Sequence, residues 1–327
     1  MLSNKIKIYM SIILLLIIFL GISGCKEQTK FVDSGKIEYI KVENFKFNGE
    51  PNILNFADIP KRVIVCGNSA IDTLIYLGVG DSIITAVITE NIDITDYRNK
   101  LPNAEIFVRP ISQEYAVLMQ TDFIIGQRRF FSEKLLGGPS FWGNKKVPAY
   151  IQEASGPIPS LRGFPPCTIE SEKRFLINMG AIFRKEKEVK KFIDDIDNEI
   201  KVNLNNNTNK PKVLVIEFMG KNIELFGKAL LSGNIVEALD AEIIDLGYPF
   251  INIEDLMFMD ADVIFVVYHG NEKNKEFAMK KINNHIFNRM KAVRNGKVYP
   301  LQYQQIVAPA IHTVDTIKAI RQGIYGN

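Results

Sequence analysis

The side chains in this chain that can do chemistry are few and scattered. His269, His285 and His312 are the only histidines. No HxH, HExxH or CxxC spacing occurs, so a purpose-built zinc site is not expected. Ser69 closes Cys66-Gly67-Asn68-Ser69 after an apolar run, a place where a strand can present a nucleophile. The stretch lacks GxSxG and nothing specifically pairs a base with it, so catalysis is not expected. Cys66 and Cys167 are too few for a disulfide scaffold; two buried thiols are expected, with a single bridge as the alternative.

Cys25 differs from these. It ends Ile22-Ser23-Gly24-Cys25, behind an uncharged stretch that follows Lys5 and Lys7. A basic start, a short apolar segment and small residues before a cleavage point form an export signal. The cysteine makes the signal resemble that of a bacterial lipoprotein, cleaved before Cys25 and carrying a lipid on its sulfur. The alternative is an uncleaved membrane helix, but the stretch from Ile8 to Cys25 is marginal against the roughly 20 residues a span needs. Cleavage would leave 303 of the 327 residues, with 38 basic against 37 acidic side chains, a formal charge of +1. That balance gives no long-range attraction to nucleic acid.

The elements that must position these groups alternate between strand and helix patterns. Residues 25–60 read as a tether with an irregular edge. Arg62 to Cys66 is a buried strand, a helix starts at Ser69, and Ile83 to Val87 is the next strand, together a βαβ unit. A short helix at Glu114–Gln120 leads to a strand at Asp122–Gly126, and another strand is expected at Val147–Ile151. Residues 61–168 thus form one α/β lobe. Helical periodicity fills 169–204, with Gly180 expected to break it. The second piece, from Lys185, would be roughly 27 Å long at 1.5 Å per residue, enough to join two small domains. Residues 205–327 repeat the alternation, with strands at Lys212–Ile216, Ala241–Ile244, Asp262–Val267 and an edge strand at Val298–Leu301, then a closing helix.

The two lobes share one local pattern. Glu114, Met119, Asp122 and an apolar run recur 140 residues later as Glu254, Met259, Asp262 and another apolar run. A carboxylate in a helix's first turn is favoured by the helix dipole, which accounts for each glutamate alone. The matched pair also suits a two-point docking surface, and chance similarity of α/β halves is the third reading.

From Pro60-Lys61-Arg62-Val63-Ile64-Val65 through Leu77-Gly78-Val79-Gly80-Asp81, Glu114–Ile125, Lys212–Ile216, Glu254–Gly270 and Lys291–Tyr299, the chain resembles the substrate-binding lipoproteins of ABC importers for ferric siderophores, haem and cobalamin. These stretches span nearly the whole mature chain in the family's order. The resemblance implies two α/β lobes with central parallel-type sheets, joined by a single long interdomain helix, with the ligand in the cleft between them. It implies partners as well: a permease and its ATPase subunits, with Glu114 and Glu254 docking to arginines of the permease. The body would be a monomer on the outer face of the cytoplasmic membrane, with no intrinsic cofactor.

Ligand groups are then expected at the carboxyl ends of the strands. This nominates Asn68 and Ser69, Thr89 and Glu90, Arg128, Arg129 and Phe130, Phe218 and Met219, Tyr268 and His269, and Tyr303 and Gln304. Arg109 stands where the resemblance places an arginine in siderophore binders and an iron-ligating methionine in some haem binders. His269, before Gly270, matches a haem-ligating position, with a loop histidine bonding backbone as the alternative. Arg162 is a further candidate for anionic groups, and Trp142, Phe131 and Phe164 for an aromatic lining. A ferric siderophore is the expected ligand, haem the alternative and cobalamin the third.

Overall fold

The computed structural model describes residues 39–88, 94–155, 166–201 and 209–326. Cys25, Thr89, Glu90, Arg162 and Phe164 lie outside the described residues. The segment expected to be tether and irregular edge instead contains an antiparallel hairpin, β1 (Ile40–Phe45) and β2 (Pro51–Phe56). Val42, Leu54 and Phe56 face inward at alternate positions and join the core. Asn44 fixes the hairpin to the first lobe, because its side-chain amide donates to Ile151 O at 2.8 Å and accepts from Ile151 N at 2.9 Å. One amide thereby copies a ladder pair and covers a sheet edge.

The first lobe is a parallel sheet of β3 (Val63–Cys66), β4 (Ile83–Val87), β5 (Glu105–Phe107), β6 (Phe123–Gln127) and β7 (Ala149–Gln152), in the order β5-β4-β3-β6-β7. The second is built on β8 (Lys212–Met219), β9 (Asn222–Leu225), β10 (Glu242–Ile243), β11 (Phe250–Ile251), β12 (Val263–Tyr268) and β13 (Val298–Gln302). Its order is β11-β9-β8-β12-β13, with β10 also on β8. It is mixed rather than wholly parallel. β8 turns back through Gly220-Lys221 into antiparallel β9, and β11 extends that arm.

Side-chain alternation splits each sheet between two cores, as a period of two requires. Val63, Val65, Phe123 and Ile125 of the first sheet enter the same core as Val213, Val215, Val263 and Phe265 of the second. Ile64, Cys66 and Ile124 pack on the other face of their own lobe, and so do Leu214, Ile216, Ile264 and Val266 of theirs. The two lobes therefore share one continuous hydrophobic core.

Helices Ile169–Phe183 and Glu186–Lys201 run between the lobes. The break falls at Arg184, in the left-handed region at φ 55°, and not at Gly180. Gly180 lies inside the first helix, and a Cβ there would lie 2.9 Å from Val189 Cγ2. Its missing side chain lets the second helix pack on the first. Sixteen residues make the second helix about 24 Å long at 1.5 Å per residue. It packs on the closing helix Thr313–Tyr325, where Arg321 pairs with Glu199.

Candidate ligand cleft and docking surface

The first wall of the cleft begins where β3 ends. Gly67, at φ 127°, turns the chain into helix Asn68–Tyr76, a conformation that a side chain would strain. Asn68 and Ser69 are thereby buried at the carboxyl end of the sheet. The Ser69 hydroxyl donates to Ala308 O, and Gln152 Nε2 donates to Ser69 Oγ at 3.5 Å. Ser69 thus ties the first lobe to the chain segment that returns from the second. A cavity of about 40 Å³ lies beside it, lined by Asn68, Asp72, Gln127, Gln304 and His312. Gln304 Nε2 is buried with no hydrogen-bond partner among the described residues. Asp72 and His312 meet across the lobes at 2.9 Å.

The opposite wall is the carboxyl end of the second sheet. His269 Nε2 lies 3.1 Å from Glu217 Oε1, and its ring stacks on Tyr303 with centroids 4.2 Å apart. Asn274 Nδ2 donates to His269 O at 2.7 Å, and Gln302 Nε2 to Gly270 O at 3.1 Å, so the loop after β12 is held by both flanks. Tyr268, at the end of β12, is partly buried. Glu217 faces Glu224 across the β8–β9 ladder. Burial, and then the Glu217 carboxylate, push the Glu224 carboxyl above its ordinary range, with His269 opposing.

The remaining nominated residues separate into rim and core. Arg109 is exposed just past β5, and Arg129 is exposed just past β6 with its guanidinium 5.2 Å from the Phe130 ring. Arg128 is buried. Its guanidinium donates twice to Phe47 O, at 3.2 and 3.1 Å, and lies over the Phe47 ring, which fastens the β1–β2 hairpin to the sheet. Phe130, Phe131 and Trp142 are packed in the outer core of the first lobe, and Trp142 Nε1–H donates to Leu136 O at 2.7 Å. Those rings support the loops and do not line the cleft. Glu217 is the wall residue that sequence reading missed. The alternation of Val213 and Val215 continues to it and places it on the inner face.

The 140-residue echo is structural. Glu114 and Glu254 both occupy the second position of a short helix, Gln113–Leu118 and Ile253–Met257, and both are exposed. Ser112 caps the first helix and Asn252 the second. The helix's own backbone N–H and the Ser112 hydroxyl hold the Glu114 carboxyl below its usual range. Asp122 then accepts from Lys61 N and Arg62 N, both at the entry to β3. Asp262 accepts from Lys212 N at the start of β8. Each aspartate clips its central strand to the strand beside it.

The family model for periplasmic binding protein matches residues 63–304. The chain belongs to the periplasmic binding protein family. Its fold is the two-lobed one of that family, and its members serve as the binding components of ABC importers. This binding protein is similar to a periplasmic binding protein from Veillonella parvula, with 26% identity, a TM-score of 0.77, and 92% of this chain and 96% of that chain covered. The petrobactin-binding protein YclQ from Bacillus subtilis superposes with a TM-score of 0.65 at 20% identity, covering 88% of this chain and 99% of its own. The periplasmic heme-binding protein RhuT from Roseiflexus superposes with a TM-score of 0.59 at 13% identity, covering 81% and 98%. No curated protein matches the chain by sequence.

Proposed function

We propose that this binding protein is a lipoprotein anchored through Cys25 outside the cytoplasmic membrane, where it captures a ferric siderophore for an ABC permease and its ATPase. The observation that carries the ligand reading is the pair of exposed guanidinium groups, Arg109 and Arg129, just past the carboxyl ends of β5 and β6. Two rim arginines suit the anionic oxygens of an iron chelate. The stacked His269 and Tyr303 rings offer a flat aromatic face on the other wall. Asn68 and Tyr268 complete the candidate contacts.

Haem is the second reading, and His269 is what favours it. Against it, His269 Nε2 is engaged by Glu217, and Arg109 stands where some haem binders have methionine. Calorimetric titration of residues 25–327 with ferric hydroxamates, ferric catecholates, haem and cobalamin separates the readings. The expected result is one-to-one binding of one siderophore class, weakened at least tenfold in the Arg109→Ala, Arg129→Ala double variant. A haem Soret band lost in His269→Ala would assign haem instead. Glu114→Ala with Glu254→Ala is expected to spare ligand binding and cut uptake; unchanged uptake would remove the docking assignment.

A further inference from the structure

The echo extends beyond the glutamates. Val108, Glu114 and Leu118 recur 140 residues later as Tyr248, Glu254 and Phe258. Leu118 is 80% exposed and Phe258 88%, the two highest values among large hydrophobic side chains of the described residues; Phe277 follows at 62%. Val108 is 59% and Tyr248 52% exposed. Leu118 ends the first helix and Phe258 caps the second, each four places after its glutamate, the spacing that puts two residues on one helical face. The inward positions are also matched, with Ala116 and Leu256 buried. Nothing in the packing of either helix requires Leu118 or Phe258 to be apolar.

Single exposed hydrophobics are ordinary on a protein surface. Recurrence at one offset, on two lobes with different sequences and differently built sheets, is not scatter. We infer that Leu118 and Phe258, flanked by Val108 and Tyr248, are apolar anchors that dock beside Glu114 and Glu254. This rests on the reading of those glutamates as docking groups. The occupant is the permease, a membrane protein that presents one acceptor twice, each an apolar recess next to a cation. A carboxylate flanked by apolar side chains complements that acceptor in both charge and shape. The division of labour follows from range: the carboxylates speed the encounter, and the buried side chains set the residence time.

Association with the permease–ATPase complex in nanodiscs, measured at two salt concentrations, tests this. Empty nanodiscs of the same lipid are the control. Leu118→Ser with Phe258→Ser is expected to raise the dissociation rate at least tenfold and to leave the salt dependence intact. Glu114→Gln with Glu254→Gln is expected to slow association and flatten the salt dependence. Both pairs lie on the surface, and unchanged melting checks that they fold. If the serine pair binds like the parent while the glutamine pair is weakened, the anchor assignment falls and the docking reading stands. If neither pair matters, both fall. Binding of the parent to empty nanodiscs, or its self-association, lost in the serine pair would also overturn the assignment.

Discussion

Glu172 is sealed in the protein beside the chain segment that joins the lobes, and its carboxyl oxygen accepts from Ala310 N. Burial pushes its pKa up to about 8; the Ala310 amide opposes this, and Glu153 adds to it. The folded protein therefore holds a proton that the unfolded chain, with an ordinary carboxyl near 4.5, has released. Stability falls as pH rises through that window. Glu172→Gln keeps an oxygen for Ala310 N and removes the titration. Chemical denaturation is expected to show a flatter pH profile between about 4.5 and 8, with the variant more stable at pH 8 by about 2 kcal/mol or more. A parent-like slope would show that Glu172 is ionised throughout. Glu153 is also raised by burial, with Arg174 opposing, so it adds to the same pH trend.

At the scale of elements, the contact between helices Ile169–Phe183 and Glu186–Lys201 depends on a missing side chain. Glycine is a poor helix former, costing about 1 kcal/mol against alanine. Here that cost is outweighed, because any Cβ would press on Val189. Gly180→Val is therefore expected to destabilise the protein by about 1–3 kcal/mol through overpacking, even though valine is the better helix former. Melting of Gly180→Val and of Gly180→Val with Val189→Ala checks the cause. Rescue by the second change identifies the contact, and its failure would point to the backbone instead. The same position explains why glycine misled the sequence reading. Glycine marks both helix ends and close helix packing, and only the distance to Val189 separates the two.

Across the whole molecule, both sheets feed one core, and the connecting helices lie within it. Neither lobe has a complete hydrophobic core of its own on that side. The two lobes are therefore expected to unfold in one calorimetric transition, with equal calorimetric and van't Hoff enthalpies. Two resolved transitions would contradict the shared core. The shared core also limits how far ligand binding can move one lobe against the other, because packed interiors do not deform continuously.

Strand and helix alternation and the shared spacing of Glu114 with Asp122 and Glu254 with Asp262 were legible in the chain, because each is set by residues within a few positions of one another; the clips those aspartates make were not, since Asp122 reaches Lys61 N and Arg62 N, 61 and 60 residues away, and Asp262 reaches Lys212 N, 50 residues away. The 140-residue echo survived intact into the structure for the same reason. Which nominated residues face the cleft was decided by contacts made far along the chain. Arg128 is taken inward by Phe47 O, 81 residues away, and Ser69 by Ala308 O, 239 residues away. The β1–β2 hairpin escaped notice in the same way, since its Asn44 pairs with Ile151 across 107 residues. Local spacing determines which element a side chain stands on and which way it points. Whether a partner waits there to bury it is a matter of packing between distant segments, and only the tertiary structure contains that.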